Sequence, residues 1–176
     1  LLGLSHNQMK QFDEARKYLS NALKIRPDSP NVLHTMAILY DEIEDWDKSD
    51  EIYKRLIKAD STDAQAFNNY AYSLVERNEQ LNKALELAKQ AIDLEPENPS
   101  YLDTIGWIYF KLNNVNKARE YIEASIKITG DNAVVLEHLG DVFMKNKNPE
   151  TALGFYKRAL NLDKSNERLI KKASTD

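Results

Sequence analysis

The chain has 176 residues, a formal net charge of −4, 42% hydrophobic and 30% charged residues, and only five glycines and five prolines. That is too apolar for a disordered chain and too poor in turn residues for a sandwich or barrel of many short strands. There is no basic excess to neutralise nucleic-acid phosphates, no cysteine for a disulfide, zinc thiolate or nucleophile, and no apolar run near the ~20 residues of a membrane-spanning helix.

Taken in chain order, one kind of segment recurs. ARKYLSNALKI starts at Ala15, SDEIYKRLIKA at Ser49, ALELAKQAIDL at Ala84, AREYIEASIKI at Ala118 and ALGFYKRALNL at Ala152, in steps of 34, 35, 34 and 34 residues. Two more series keep the same period: Gly3, Ala37, Ala71, Gly106 and Gly140, then Ala22, Leu56, Ala91, Ser125 and Ala159. Gly, Ala and Ser make up 31 of the 176 residues yet fill fourteen of these fifteen positions, which excludes chance. Large residues surround them at i, i+3, i+4 spacing, the mark of a buried helix face. Leu102, Ile105 and Tyr109 precede Tyr121, Ile122, Ile126 and Ile128; one period later Leu136, Leu139 and Phe143 precede Tyr156, Leu160 and Leu162. Each period therefore predicts two antiparallel helices crossing where side chains are small. Proline turns, PDSP at 27–30 and PENP at 96–99, fall between helix pairs.

These offsets resemble the tetratricopeptide repeat (TPR) family, whose pattern sets Leu-Gly, Tyr, Ala, an aromatic and Ala at fixed places in ~34 residues. Residues 99–132 carry it as L..IG..Y........A...I..S and residues 133–166 as L..LG..F........A...Y..A. Ser49, Leu56 and Leu74 depart from it, and one extra residue lies within VERNEQLNK, 75–83. The resemblance implies an all-α, right-handed α-solenoid of antiparallel helix pairs, with about five repeats and a C-terminal capping helix, as a single domain. The repeats fall at 1–29 (partial), 30–63, 64–98, 99–132 and 133–166, with the capping helix at 167–176. The first repeat lacks the start of its first helix, so further repeats are expected to precede Leu1 in the native chain. YLDTIGWIYFKL (101–112) and VLEHLGDVF (135–143) look like the terminal repeats of bacterial TPR proteins, and Lys outnumbering Arg 17 to 7, with 16 asparagines, fits an AT-rich genome. Cytoplasm and periplasm fit equally.

No catalytic pattern stands out: there is no G-x-S-x-G, no phosphate-binding glycine loop and no H-x-x-x-H. His6, His34 and His138 occupy unequal repeat positions, so no metal set is expected, and the acidic run 41–51 lacks the calcium-loop glycine and reads as a solvated turn. No cofactor is expected, and the chain is read as non-enzymatic.

Carried over from the family, the positions facing the concave groove are Asn31, His34, Ile38, Asp41 and Glu42; then Gln65, Asn68, Tyr72, Val75 and Glu76. The last two repeats contribute Ser100, Asp103, Trp107, Phe110 and Lys111, then Val134, Glu137, Asp141, Met144 and Lys145. Tyr72, Trp107, Phe110 and Met144 are the apolar anchors; carboxylates outnumber the two lysines around them. The expected partner is a protein or peptide segment with apolar anchors and some basic residues. The competing reading of Trp107 and Phe110 is packing against the neighbouring first helix. The cationic grip with which some TPR domains hold a C-terminal carboxylate is missing, since His34, Ile38, Asn69, Ser100 and Thr104 stand at its positions in one register. Two other functions remain open: a substrate-selecting or regulatory repeat region of a larger enzyme or sensor, and a self-associating module.

Overall fold

The computed structural model describes residues 6–174, with side chains from Lys10 onward, and among them holds ten α-helices and no strand. The helices gather into two compact units, residues 1–73 and 74–176. The first contains α1 (His6–Ile25), α2 (Pro30–Glu42), α3 (Trp46–Ala59) and most of α4 (Ala64–Glu76). The second contains the end of α4, α5 (Leu81–Leu94), α6 (Pro99–Lys111), α7 (Val115–Thr129), α8 (Ala133–Lys145), α9 (Pro149–Leu162) and α10 (Glu167–Ala173). Gly3 and the last two residues of the C-terminal tail lie outside the described residues.

The small residues do what their spacing predicts. Ala37, Ser49, Ala84, Ala91, Ala118, Ser125, Ala152 and Ala159 are all buried. In the second unit the reason is explicit: a Cβ added to Gly106 would stand 2.6 Å from Ile122 Cγ1 and 3.2 Å from the Ala118 carbonyl oxygen, so α6 and α7 touch backbone to side chain there. A Cβ on Gly140 would fall on the Tyr156 ring, which fixes the approach of α8 to α9 in the same way. Between these contacts Ile105, Ile108, Ile122, Leu136, Leu139 and Val142 fill the interior, each exposing 2% or less. In the first unit Leu33, Met36, Leu56 and Tyr53 take that place, with the Tyr53 and Tyr70 rings stacked at 5.4 Å. The series weakens at the N-terminus: Ala15 and Ala22 on α1 are only half-buried, and no described α1 side chain is fully buried.

Local chemistry starts and stops the helices. Asn98, Asn114, Asn132, Asn148 and Asn166 are the N-caps of α6 to α10, and each side-chain oxygen accepts a backbone N–H of the first turn. Pro30, Pro99 and Pro149 open α2, α6 and α9, where the missing N–H costs nothing. Within the repeats, the turn between first and second helix carries one left-handed residue: Glu44 (φ 59°), Asn113 (φ 65°) and Lys147 (φ 58°). The turn between α4 and α5 is one residue longer and carries two, Asn78 (φ 55°) and Gln80 (φ 45°). The extra residue is thus absorbed in the turn.

Candidate functional site

The first unit places the predicted groove residues of its second repeat on α2. Asn31, Ile38 and Glu42 are exposed, Ile38 by 44%. His34 is buried, its Nε2 2.8 Å from a carboxylate oxygen of Asp63, while its Nδ1 lies buried without a hydrogen-bond partner. Asp41 is half-buried and accepts the Tyr53 hydroxyl at 2.8 Å and the Ser73 hydroxyl at 2.8 Å. Burial, reinforced by the Asp41 charge, holds the Tyr53 phenol far above its ordinary range. On α4, Asn68 is buried with its amide nitrogen 3.4 Å from the Asn69 side-chain oxygen and its own Oδ1 unpartnered; Tyr72 is 39% exposed.

In the second unit the groove positions of α6 and α8 are tied into a network. The Trp107 indole N–H donates to Glu76 Oε1 at 2.8 Å. Its ring stacks on Phe110 at 4.7 Å between centroids and on His138 at 4.1 Å, and the Lys111 ammonium stands 4.8 Å from it. His138 in turn sets its Nδ1 3.0 Å from both carboxylate oxygens of Asp103. Phe110 is half-buried, with the Lys145 ammonium 4.5 Å from its centroid and donating to the Phe110 carbonyl at 3.1 Å. Trp107 itself is buried, so it packs against the first helix of the next repeat. Met144 is exposed.

The remaining groove carboxylates are occupied from within. Glu137, 2% exposed, meets Arg168 Nε at 2.8 Å and Lys172 Nζ at 2.9 Å, both from α10. Asp141 accepts Lys172 at 2.6 Å and the Tyr156 hydroxyl at 2.8 Å. Burial, and then this hydrogen bond, raises the Tyr156 phenol above its usual range. The family positions put Asp41, Asp103, Glu137 and Asp141 in an acidic groove, whereas in the structure Tyr53, Ser73, His138, Tyr156, Arg168 and Lys172 satisfy them. A spacing signal was available: Glu76–Trp107, Glu137–Arg168 and Asp141–Lys172 each lie 31 residues apart.

The histidines at positions 34 and 138 belong to separate carboxylate pairs, and among the described residues no group of three or more His, Cys, Asp or Glu converges as a metal site. Among the same residues no helix is long and apolar enough to cross a membrane.

Comparison with known proteins extends the picture. Patterns of the tetratricopeptide repeat match residues 7–69, 99–132 and 135–169. A TPR repeat-containing protein of Pseudomonas aeruginosa is 30% identical over 108 residues, which is 61% of this chain and 18% of that protein. The type IV pilus assembly protein PilF of the same species is 26% identical over 114 residues, 63% of this chain and 44% of PilF. The chain thus spans less than half the length of these curated relatives. Among solved structures, a thermophilic TPR protein of Thermus thermophilus aligns with a TM-score of 0.81 over 94% of this chain and 91% of its own, at 20% identity. The type IV pilus biogenesis factor PilW aligns with a TM-score of 0.79 over 95% of this chain and 80% of its own, at 16% identity. At such identities the likeness is one of fold: an all-α solenoid of antiparallel helix pairs.

Proposed function

Because the chain belongs to the tetratricopeptide-repeat family, we propose that it is a protein-interaction scaffold that holds a peptide or protein segment against its first helices. The observation that carries this reading is the set of large apolar side chains left exposed at groove positions: Ile38 and Tyr72 in the first unit, Val134 and Met144 in the second. Apolar groups of this size supply most of the energy of an interface when a partner covers them. The pilus assembly and biogenesis proteins it resembles are named for building a larger structure, which agrees with a scaffold. Asp41, Asp103, Glu137 and Asp141 already accept hydrogen bonds or cations from the protein itself. Apolar contact therefore ranks first in partner choice and contact with basic residues second. The greater length of the curated relatives favours a second reading, in which the same scaffold selects partners or substrates for a longer protein.

The test is affinity capture with wild type and a Tyr72→Ala/Met144→Ala double variant, helicity being checked by circular dichroism. A partner taken by wild type should drop at least tenfold with the double variant while helicity is unchanged. Equal retention overturns the groove reading. Trp107 is unsuitable as an interface probe: truncating this buried ring should cost about 3–5 kcal/mol of stability, measurable by urea unfolding.

A further inference from the structure

Helix α10 is seven residues long, well below the ~12–15 residues at which an isolated helix becomes even marginally stable, so its order comes from docking. Its single fully buried residue is Leu169, which sits on Leu136 and Ala159 with Ile126, Phe155 and Leu160 around it. Ionic ties add to it, Arg168 to Glu137 and Lys172 to both Glu137 and Asp141, and the Lys172 ammonium stands 5.3 Å from the Tyr156 ring centroid. Arg168, Leu169 and Lys172 stand at i, i+1 and i+4 and act together: a cation, a leucine and a second cation. The surface beneath them is complementary, with an apolar socket between α8 and α9 and a buried carboxylate that is costly to leave without a cation.

We propose that this surface is a docking site for a short helix bearing Arg-Leu-x-x-Lys, occupied in cis by α10 and taken over by a basic, leucine-bearing helix of a partner protein when α10 leaves. The recognition code is written in the occupant already seated there. Arg168 remains 65% exposed along its side chain, so its share of the ion pairing is weakened by solvent, and a seven-residue helix with one buried residue, Leu169, makes a light latch. The proposal deepens the scaffold reading by giving one site a partner chemistry, and it does not depend on Tyr72 or Met144.

Two measurements on the full chain decide it. In hydrogen exchange of the wild type, α10 amides should exchange at least tenfold faster than those of α9, because the latch opens by itself. Exchange of α10 and α9 at one common rate overturns the proposal. In the second, a dye-labelled peptide copying residues 164–174 is titrated into wild type and into Arg168→Glu/Leu169→Asp/Lys172→Glu. The released variant should bind at least tenfold more tightly than wild type, and adding Glu137→Gln and Asp141→Asn should abolish that binding. Equal or absent binding to both proteins overturns the site, and a wild-type dimer made by exchanging α10 would replace the partner with a second copy. If the released variant does not fold, the exchange experiment decides alone. Failure of the Tyr72/Met144 test would leave both readouts unchanged, so the two readings fail separately.

Discussion

The two units apply one repeat pattern with different amounts of local support. In the second, each helix from α6 to α10 begins at an asparagine whose side chain accepts a backbone N–H. In the first, Ser29 and Asp45 hold the cap positions of α2 and α3 without such a bond. The second unit pairs its central histidine with both oxygens of a carboxylate and stacks it on an indole; the first leaves His34 Nδ1 and Asn68 Oδ1 buried and unpartnered. Some contacts are nevertheless the same. Arg55–Asp28 and Arg158–Asp131 link residues 27 apart in the two units, and both pairs are largely exposed, worth little to either. Tertiary packing of the period is common to both; the difference is an unbroken run of asparagine caps from α6 onward, where the earlier helix starts are mixed, Asp63 accepting the Ala66 N–H at α4 and Gln80 making no cap bond at α5.

Three changes would break or sharpen this comparison. The largest is Gly140→Ala, which drives a methyl group onto the Tyr156 ring and should destabilise the protein by about 1–3 kcal/mol in urea unfolding. Gly154→Ala is its control, since a Cβ there meets nothing within 4 Å and alanine is the better helix former. Equal effects of the two would mean that the α8–α9 crossing tolerates a wider approach.

The second change is in pH. Tyr53 has its phenol raised by burial and by Asp41, so its protonated form is favoured in the folded state. Its contribution is complete below the unfolded value near pH ~10 and is lost as pH rises above it, by up to about 1.4 kcal/mol per unit. Urea midpoints should therefore fall as pH rises past ~10 toward ~11, and Tyr53→Phe should flatten the fall. Tyr156 has its phenol raised too, by burial and the bond to Asp141, so Tyr156→Phe should flatten it in the second unit. A slope unchanged by both variants would remove the phenols from the alkaline transition.

The smallest effect is at the caps. Asn132→Ala removes two N–H acceptor contacts at α8, to Val134 at 2.9 Å and Val135 at 3.3 Å, and should cost about 1 kcal/mol. Ser29→Ala in the first unit should cost less, because no cap bond is lost. Equal costs would erase the contrast between the units.

Much of this was legible beforehand. The period, the helix pairs and the crossings at Gly106 and Gly140 follow from one-dimensional spacing, because a solenoid repeats its packing along the chain. The asparagine caps are legible too, at 98, 114, 132, 148 and 166 in alternating steps of 16 and 18, a periodicity that the bare asparagine content does not carry. Trp107 was harder. Its repeat position faces the groove in the family, yet its surroundings depend on Glu76 and His138, which lie on other helices 31 residues before and after it, a spacing that shows only when neighbouring repeats are read against one another. The same holds for Glu137 and Asp141: a carboxylate at a groove position looks free until Arg168, Lys172 and Tyr156 reach it from α9 and α10.

The four-residue turn between α4 and α5 shows where the chain's length can change. It takes in one more residue than its counterparts by adopting a second left-handed conformation at Gln80, and Ala84, Ala88 and Ala91 of α5 remain buried at 1% or less. One added residue at this bend leaves both helices in phase, so the punctuation of the array is editable while its words are not. A short epitope placed after Asn78 is the natural handle for following the protein in a cell.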